Sequence, residues 1–238
     1  WLEPVRAVGI ACDVLAVERL MGQKIPERAE HMRVILGELQ RIASHLLWLG
    51  TFGLDLGNFT IFIYCFRERE MILDLFEAVS GQRLNYSFYR IGGMAFDFPD
   101  GWLENCRAFL EWFKPRIPEY DAMVTDNILF RKRLQGVGVL DPESSVNYGL
   151  SGPMLRGAGI KWDLRRNDPY SIYDRFEFDI PVFDSCDVWA RFLVRRSLEL
   201  IRDFSTLNVR SLTRSPLARA DFDLFRSFGK RLVFGMSL

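Results

Sequence analysis

One carboxylate interrupts a long apolar run. In "HLLWLGTFGLDLGNFTIF", His45–Phe62, Asp55 sits among leucines, glycines and aromatic residues. Leu47, Thr51 and Asp55 are spaced i, i+4, i+8, which puts all three on one helix face. Gly50 and Gly53 allow something to approach the helix backbone closely. Phe62 and Ile63 come round just beyond the next turn. An acid beside a hydroxyl, between apolar walls, has the makings of a proton donor in a lipophilic pocket. The competing reading is a helix C-terminal acid bonded to a nearby turn or an arginine.

Other chemistries find little support. His31 and His45 lie nearly four turns apart on one expected helix, too far to share a zinc ion. No Ser-His-Asp motif, P-loop or G-x-G-x-x-G occurs. Cys12, Cys65, Cys106 and Cys186 form no C-x-x-C pair and read as reduced thiols. Arg156, Arg165 and Arg166 are either anion ligands or structural groups in a loop. Arg67, Glu68, Arg69 and Glu70 alternate in sign, the mark of a solvated helix face or of an ion-pair network against a partner.

The elements that must position these groups are mainly helical. The 238 residues balance 31 basic against 31 acidic side chains, which gives no argument for nucleic acid or an anionic surface. A first helix is predicted over 8–21, stopped by Gly22. Pro26 opens a long one, with Glu27 and Glu30 in the first turn, where the helix dipole favours acids. Met32, Ile35, Leu36, Leu39, Ile42, Leu46 and Leu49 form its apolar stripe, and Arg28, Arg33, Glu38 and Arg41 its outer face. A second long helix over 60–79, ended by Ser80-Gly81, makes an antiparallel hairpin with it. Downstream, "NYSFYRIGG" reads as a strand before a turn. Helices follow over 101–115 and 119–135, then a glycine-rich loop region over 136–168 with a short helix near 143–148. "YSIYDRFEFDIP" alternates like a strand, and a last helix spans about 185–207. The run 42–64 is long enough to raise the question of a membrane span, but His45, Asp55, Asn58 and its glycines favour a buried soluble helix.

Taken in order, "LAVERLMG", "IPERAEHMRVILGELQRIASHLLWLGTFGLDLG", "FREREMILDLFEAVSGQR", "YRIGG", "GVGV", "LSGPMLRGAG", "WDLRRNDPYSIYDRFEFDIP" and "DVWARFLVR" resemble the D subunit of NADH:quinone oxidoreductase, respiratory complex I. That subunit is related to the large subunit of nickel–iron hydrogenases. The resemblance spans about 14–195 and implies a mainly α fold: a multi-helical bundle core with a small β-strand periphery. It implies a core over 8–207 and an atypical tail over 208–238. It implies a wall of the quinone headgroup cavity, beside a neighbouring subunit's terminal iron–sulfur cluster. Asp55 and Thr51 then take the catalytic part, and Leu47, Thr51, Asp55, Phe62 and Ile63 contact quinone. The chain itself would bind no cofactor, with quinone as substrate and the cluster held next door. Expected partners are the B-type cluster subunit, the C-type subunit, the H-type membrane subunit and the I-type ferredoxin-like subunit. Expected location is peripheral, on the cytoplasmic side of a bacterial membrane or the matrix side of the mitochondrial inner membrane.

The sequence also departs from the family. The quinone-contacting histidine belongs to an N-terminal motif absent here, and Glu3 stands where an ungapped count back from "LAVERL" would put the family tyrosine. The family's C-terminal part is missing, so the chain reads as truncated at both ends. Hydrogenase chemistry needs two C-x-x-C pairs and is excluded. Two further readings remain: a non-catalytic assembly or scaffold fragment, and a subunit of a membrane-bound hydrogenase-type complex. Because no ligand set has workable spacing, the purified chain is expected to hold no stoichiometric iron, nickel or zinc. Elemental analysis finding about one tightly bound metal per chain would contradict this.

Overall fold

Two helices set the frame. Pro26, with φ −57° and ψ 135°, precedes α2, Glu27–Asp55, whose first turn holds Glu27 and Glu30. Its stripe Met32, Leu36, Leu39, Ile42, Leu46 and Leu49 is buried. The chain turns at Leu56-Gly57-Asn58, where Gly57 takes φ 86°. Asn58 N–H donates to Gly53 O over 2.8 Å. The Asn58 side chain then caps α3, Phe59–Ser80, by accepting from Ile61 N–H at 3.4 Å. Gly81, at φ 71°, closes α3. The expected hairpin is present, within a residue or two of the predicted bounds.

In this computed structural model the structure describes residues 2–199, and the side chains of 11–196. The predicted extension of the last helix to about 207, and the tail over 208–238, lie outside those residues. The chain divides into two compact units, the first running to Pro115 and the second starting at Arg116.

In the first unit α1 spans Leu2–Met21, longer than predicted. Gly22, at φ 63°, ends it. Arg33 holds α1, α2 and the strands together. Its guanidinium donates to both Glu18 carboxylate oxygens at 2.9 and 2.7 Å, to Arg90 O at 2.9 Å and to Gly93 O at 2.8 Å. Gly92 N–H completes the set by donating to Glu18 at 2.7 Å. These bonds fix β1, Tyr89–Arg90, and β2, Gly93–Met94, which pair antiparallel with Tyr89 opposite Met94. Tyr89 hydroxyl donates to Arg33 O at 3.0 Å. Helix α4, Trp102–Phe113, buries Trp102, Cys106, Phe109 and Phe113, and Trp102 Nε1 donates to Leu75 O at 2.8 Å. Burial pushes the Cys106 thiol up to about 12, far from a reactive thiolate.

Two readings of the outer faces are corrected here. Arg33 and Glu38 are 4% and 5% exposed, and on α3 Glu68 and Arg69 are 0% and 9% exposed. The charge alternation at 67–70 is therefore only in part a solvated face: Arg67 and Glu70 are exposed, and Glu68 and Arg69 are buried. Sign alternation reports only that charges can pair and does not say which of them enter the core. Arg67, which donates to Glu68, also lies over the Tyr64 ring at 4.5 Å.

The second unit is built from short helices: α5 Ile117–Tyr120, α6 Ile128–Leu134, α7 Pro142–Asn147, α8 Pro153–Arg156, α9 Leu164–Asn167 and α10 Val188–Glu199. The single helix predicted over 119–135 is instead broken. A π-turn over Asp121–Thr125 leads to Asn127, whose side chain accepts from Leu129 and Phe130 N–H and so restarts the helix as α6. The strand predicted in "YSIYDRFEFDIP" is also absent. Ser171 takes φ 53°, and Tyr173–Arg175 is a 3₁₀ turn. Its buried residues Ile172, Tyr173 and Phe176 follow the spacing of a turn, not of a strand face. The expected short helix is α7. Asp187 caps α10 by accepting from Ala190 N–H at 2.8 Å, and accepts from Gly136 N–H at the same distance.

Two outcomes follow. A Cβ on Gly53 would meet Ile61 Cγ2 at 2.1 Å. Gly53→Ala should therefore cost the chain about 1–3 kcal/mol in denaturant unfolding; an unchanged midpoint would contradict the contact. The Arg33 hydrogen bond holds the Glu18 carboxyl below its usual range. A depressed folded value stabilises above the unfolded one, about 4.3, and that contribution fades as pH falls through the folded value. Arg33→Met should remove this acid-dependent part of the stability; identical slopes of stability against pH in both chains would contradict it.

Candidate functional site

The candidate residues gather toward the turn end of the α2–α3 hairpin. Leu47 and Thr51 are half-buried, and Asp55, the last residue of α2, is exposed. One continuous helix carries all three, so the shared face predicted from spacing holds. Thr51 hydroxyl donates back to Leu47 O at 3.0 Å and Trp48 O at 3.1 Å, which commits its proton and leaves its lone pairs available.

Asp55 departs from expectation. Burial among apolar groups was expected, yet its carboxylate is exposed, and no hydrogen bond or ion pair engages it among the described residues. It also stands at the negative end of the α2 dipole, where a carboxylate is disfavoured. Close to it in sequence are exposed apolar side chains: Leu54 at 41%, Phe59 at 61% and Ile63 at 51%. The turn between α2 and α3 thus carries an exposed acid and exposed apolar groups together.

The glycines admit a close approach to the helix backbone, and what approaches is α3. A Cβ on Gly50 would lie 3.3 Å from Cys65 Cβ and 3.4 Å from Phe62 Cα. Gly50 and Gly53 thus bring α3 against α2, rather than leaving room for a ligand ring. Phe62 sits directly on the Gly50 backbone and continues into a ladder of rings, 6.0 Å from Phe59 and 4.3 Å from Phe66. Ile63, the next residue, is exposed. On α2, Trp48 and Phe52 stack at 5.2 Å beside the Leu47–Thr51–Asp55 face, a pair that sequence reasoning passed over. Its i, i+4 spacing was the available signal.

The candidate anion ligands of the second unit are structural. Arg156 and Arg165 are buried and both donate to the buried Asp163, Arg156 Nη1 at 3.0 Å and Arg165 Nη2 at 3.0 Å. Burial alone would raise the Asp163 carboxyl; the Arg165 hydrogen bond and the charges of Arg165 and Arg156 outweigh it and hold the carboxyl low. Arg166 is exposed. No group of three or more potential metal ligands occurs among the described residues, and none of their helices is long and apolar enough to cross a membrane.

Residues 55–205 match the family model described as the respiratory-chain NADH dehydrogenase, 49 Kd subunit. The chain belongs to this family. It is 48% identical over 219 residues to the H subunit of the NAD(P)H-quinone oxidoreductase of the Paulinella chromatophora organellar chromatophore, covering 90% of this chain and 54% of that protein. It is 52% identical over 195 residues to the H subunit of the same enzyme in Prochlorococcus marinus strain NATL1A, covering 79% of this chain and 50% of that one. The chain thus spans about half the length of the curated relatives it matches. Among solved structures it resembles a chain of the membrane-bound sulfane sulfur reductase, an archaeal respiratory membrane complex. There the TM-score is 0.77 at 34% identity, over 79% of this chain and 51% of that chain. The mainly helical architecture is thus a family architecture. The family match begins at Asp55, the last residue of α2, and takes in α3 and the elements after it.

Proposed function

We propose that this chain serves in an NADH- or NADPH-linked quinone oxidoreductase and that its α2–α3 hairpin end forms part of the quinone site. Asp55 is the acid of the site, and Thr51 an acceptor one turn away. Leu47, Phe62 and Ile63 are apolar wall. Electrons come from an iron–sulfur cluster in a neighbouring subunit, and quinone takes up protons as it is reduced. The partners are the B-, C-, H- and I-type subunits, and the location is peripheral, against the membrane that holds the quinone.

The observation that carries this reading is Asp55 itself. It is an exposed acid at a helix C-terminus, unengaged among the described residues and flanked by exposed Leu54, Phe59 and Ile63. Helix stability gives no reason to keep a carboxylate there. A ligand or partner surface closing over it would supply one, because an enclosed acid can orient a donor and exchange a proton. Thr51, with its hydroxyl proton already committed, presents lone pairs to the same side.

The same exposed apolar residues also suit a second reading, in which the hairpin end only docks a partner subunit. The two readings part at Asp55→Asn in the assembled complex carrying this sequence. Under the first, quinone-dependent turnover should fall about 10²–10⁴-fold, the usual worth of a positioned proton donor, while transfer from the nicotinamide to an artificial acceptor is spared. Wild-type rates in both assays would reject the catalytic reading, since asparagine still fits a docking surface.

A further inference from the structure

Three segments meet at the other end of α2, where it begins. Glu18, in the last turn of α1, accepts from Gly92 N–H in the β1–β2 turn at 2.7 Å. Gln23, in the link from α1 to α2, lies over Gly92, with Nε2 2.6 Å from where a Cβ would sit. Large apolar side chains stand out from this junction: Leu20 at 89%, Met21 at 63% and Ile91 at 53% exposure. By helix spacing Met21 falls about 60° from Glu18, on the side of the β1–β2 turn, and Leu20 faces outward. One exposed apolar residue is ordinary, but three at one end of a unit mark an interaction surface. The exposed cations Arg19, Lys24 and Arg90 surround them, and none of the three joins an ion pair among the described residues. The acids of this end are engaged. Glu18 pairs with Arg33 and Asp97 with Arg28, while Glu27 and Glu30 are half-buried in the first turn of α2.

Arg90 is held in place. Its Nη1 donates to Tyr89 O at 2.8 Å, to Ser87 Oγ at 2.9 Å and to Ser87 O at 3.4 Å. Its carbonyl accepts from the buried Arg33 at 2.9 Å. The guanidinium is thus fixed through one nitrogen. Nε and Nη2, the pair that grips a carboxylate side-on, have no partner among the described residues.

We propose that this end of the first unit docks a second protein chain, one that brings a carboxylate to Arg90, further acids to Lys24 and Arg19, and an apolar hollow for Met21, Ile91 and Leu20. Apolar groups inside a rim of charge are the anatomy of a specific protein contact. The excess of unpaired cations calls for an acidic partner, and the fixed Arg90 fork calls for a carboxylate in a set place. The 29 residues of α2 put this end about 40 Å from Asp55. The inference therefore does not depend on the quinone-site reading; it rests on the chain working within a multi-subunit assembly.

The test puts a photocrosslinker in the assembled complex carrying this sequence, as Met21→p-benzoylphenylalanine. Irradiation should join this chain to one other protein of the complex, at a peptide with Asp or Glu beside the attachment point. Arg90→Glu should cut the yield about tenfold or more, and Arg90→Lys less, because an ammonium has no fork. Lys24→Glu should lower the yield with the melting temperature of the chain unchanged, which separates docking from any loosening of the β1–β2 turn. Adducts to lipid or to a second copy of this chain overturn the proposal, and so does wild-type yield in both charge reversals. If the chain co-migrates with other subunits but Met21→p-benzoylphenylalanine links to none of them, docking at this end fails alone. If the chain runs by itself, the assembly reading fails and the docking with it.

Discussion

The first unit depends on how closely α3 can approach α2. Gly50 and Gly53 set that distance, because Phe62 and Ile61 occupy the space where side chains at these positions would lie. The approach fixes the azimuth of both helices. It turns the Met32–Leu49 stripe inward, and it leaves the face of Leu47, Thr51 and Asp55 beside the interface rather than within it. With bulkier residues at 50 and 53 the helices would separate or rotate. Leu47 and Thr51 would then lose their half-buried setting. The glycines thus act on the candidate site from behind.

The interior tolerates charge to a degree unusual for a helical hairpin. Glu18 and Arg33 are enclosed as a pair, with the remaining donors of Arg33 satisfied by backbone carbonyls of the β1–β2 turn. In the second unit Asp163 is held by two arginines. Buried pairs of this sort gain little over apolar packing, but they are costly to break singly and they dictate geometry. Arg33 has one arrangement that satisfies Glu18, Arg90 O and Gly93 O together, and that arrangement positions the β-turn on α2. Asp55 is the contrast: a carboxylate with no such partner among the described residues, at the end of the same helix.

The sequence made some of this legible and hid the rest. The α2–α3 hairpin could be read because a sustained apolar period, Pro26, Asn58 and Gly81 all give the same answer. The shared face of Leu47, Thr51 and Asp55 followed from helix geometry alone. Burial of Arg33 was not readable, since it depends on Glu18 and on carbonyls of the β1–β2 turn, distant in sequence; Glu38 and Glu68 pair with Arg41 and Arg67 close by, and such local pairs form equally well on a solvated face. The expected burial of Asp55 failed for the related reason that an apolar sequence neighbourhood at a helix end can still face outward. The break at Asp126-Asn127 was masked by good helix formers on both sides. "YSIYDRFEFDIP" alternates, yet alternation alone supplies no neighbouring strand to pair with.

Direct labelling tests the central claim, that the hairpin end of α2 and α3 faces the quinone. The assembled complex carrying this sequence would be illuminated with a short-chain azidoquinone, digested with trypsin and mapped by mass spectrometry. Cleavage after Arg41 and Arg67 releases one peptide, 42–67, that holds Leu47, Thr51, Asp55, Phe62 and Ile63. The account predicts label on that peptide, lost when excess unmodified quinone competes. Competed label confined to other peptides or other subunits, with 42–67 clean, would contradict it.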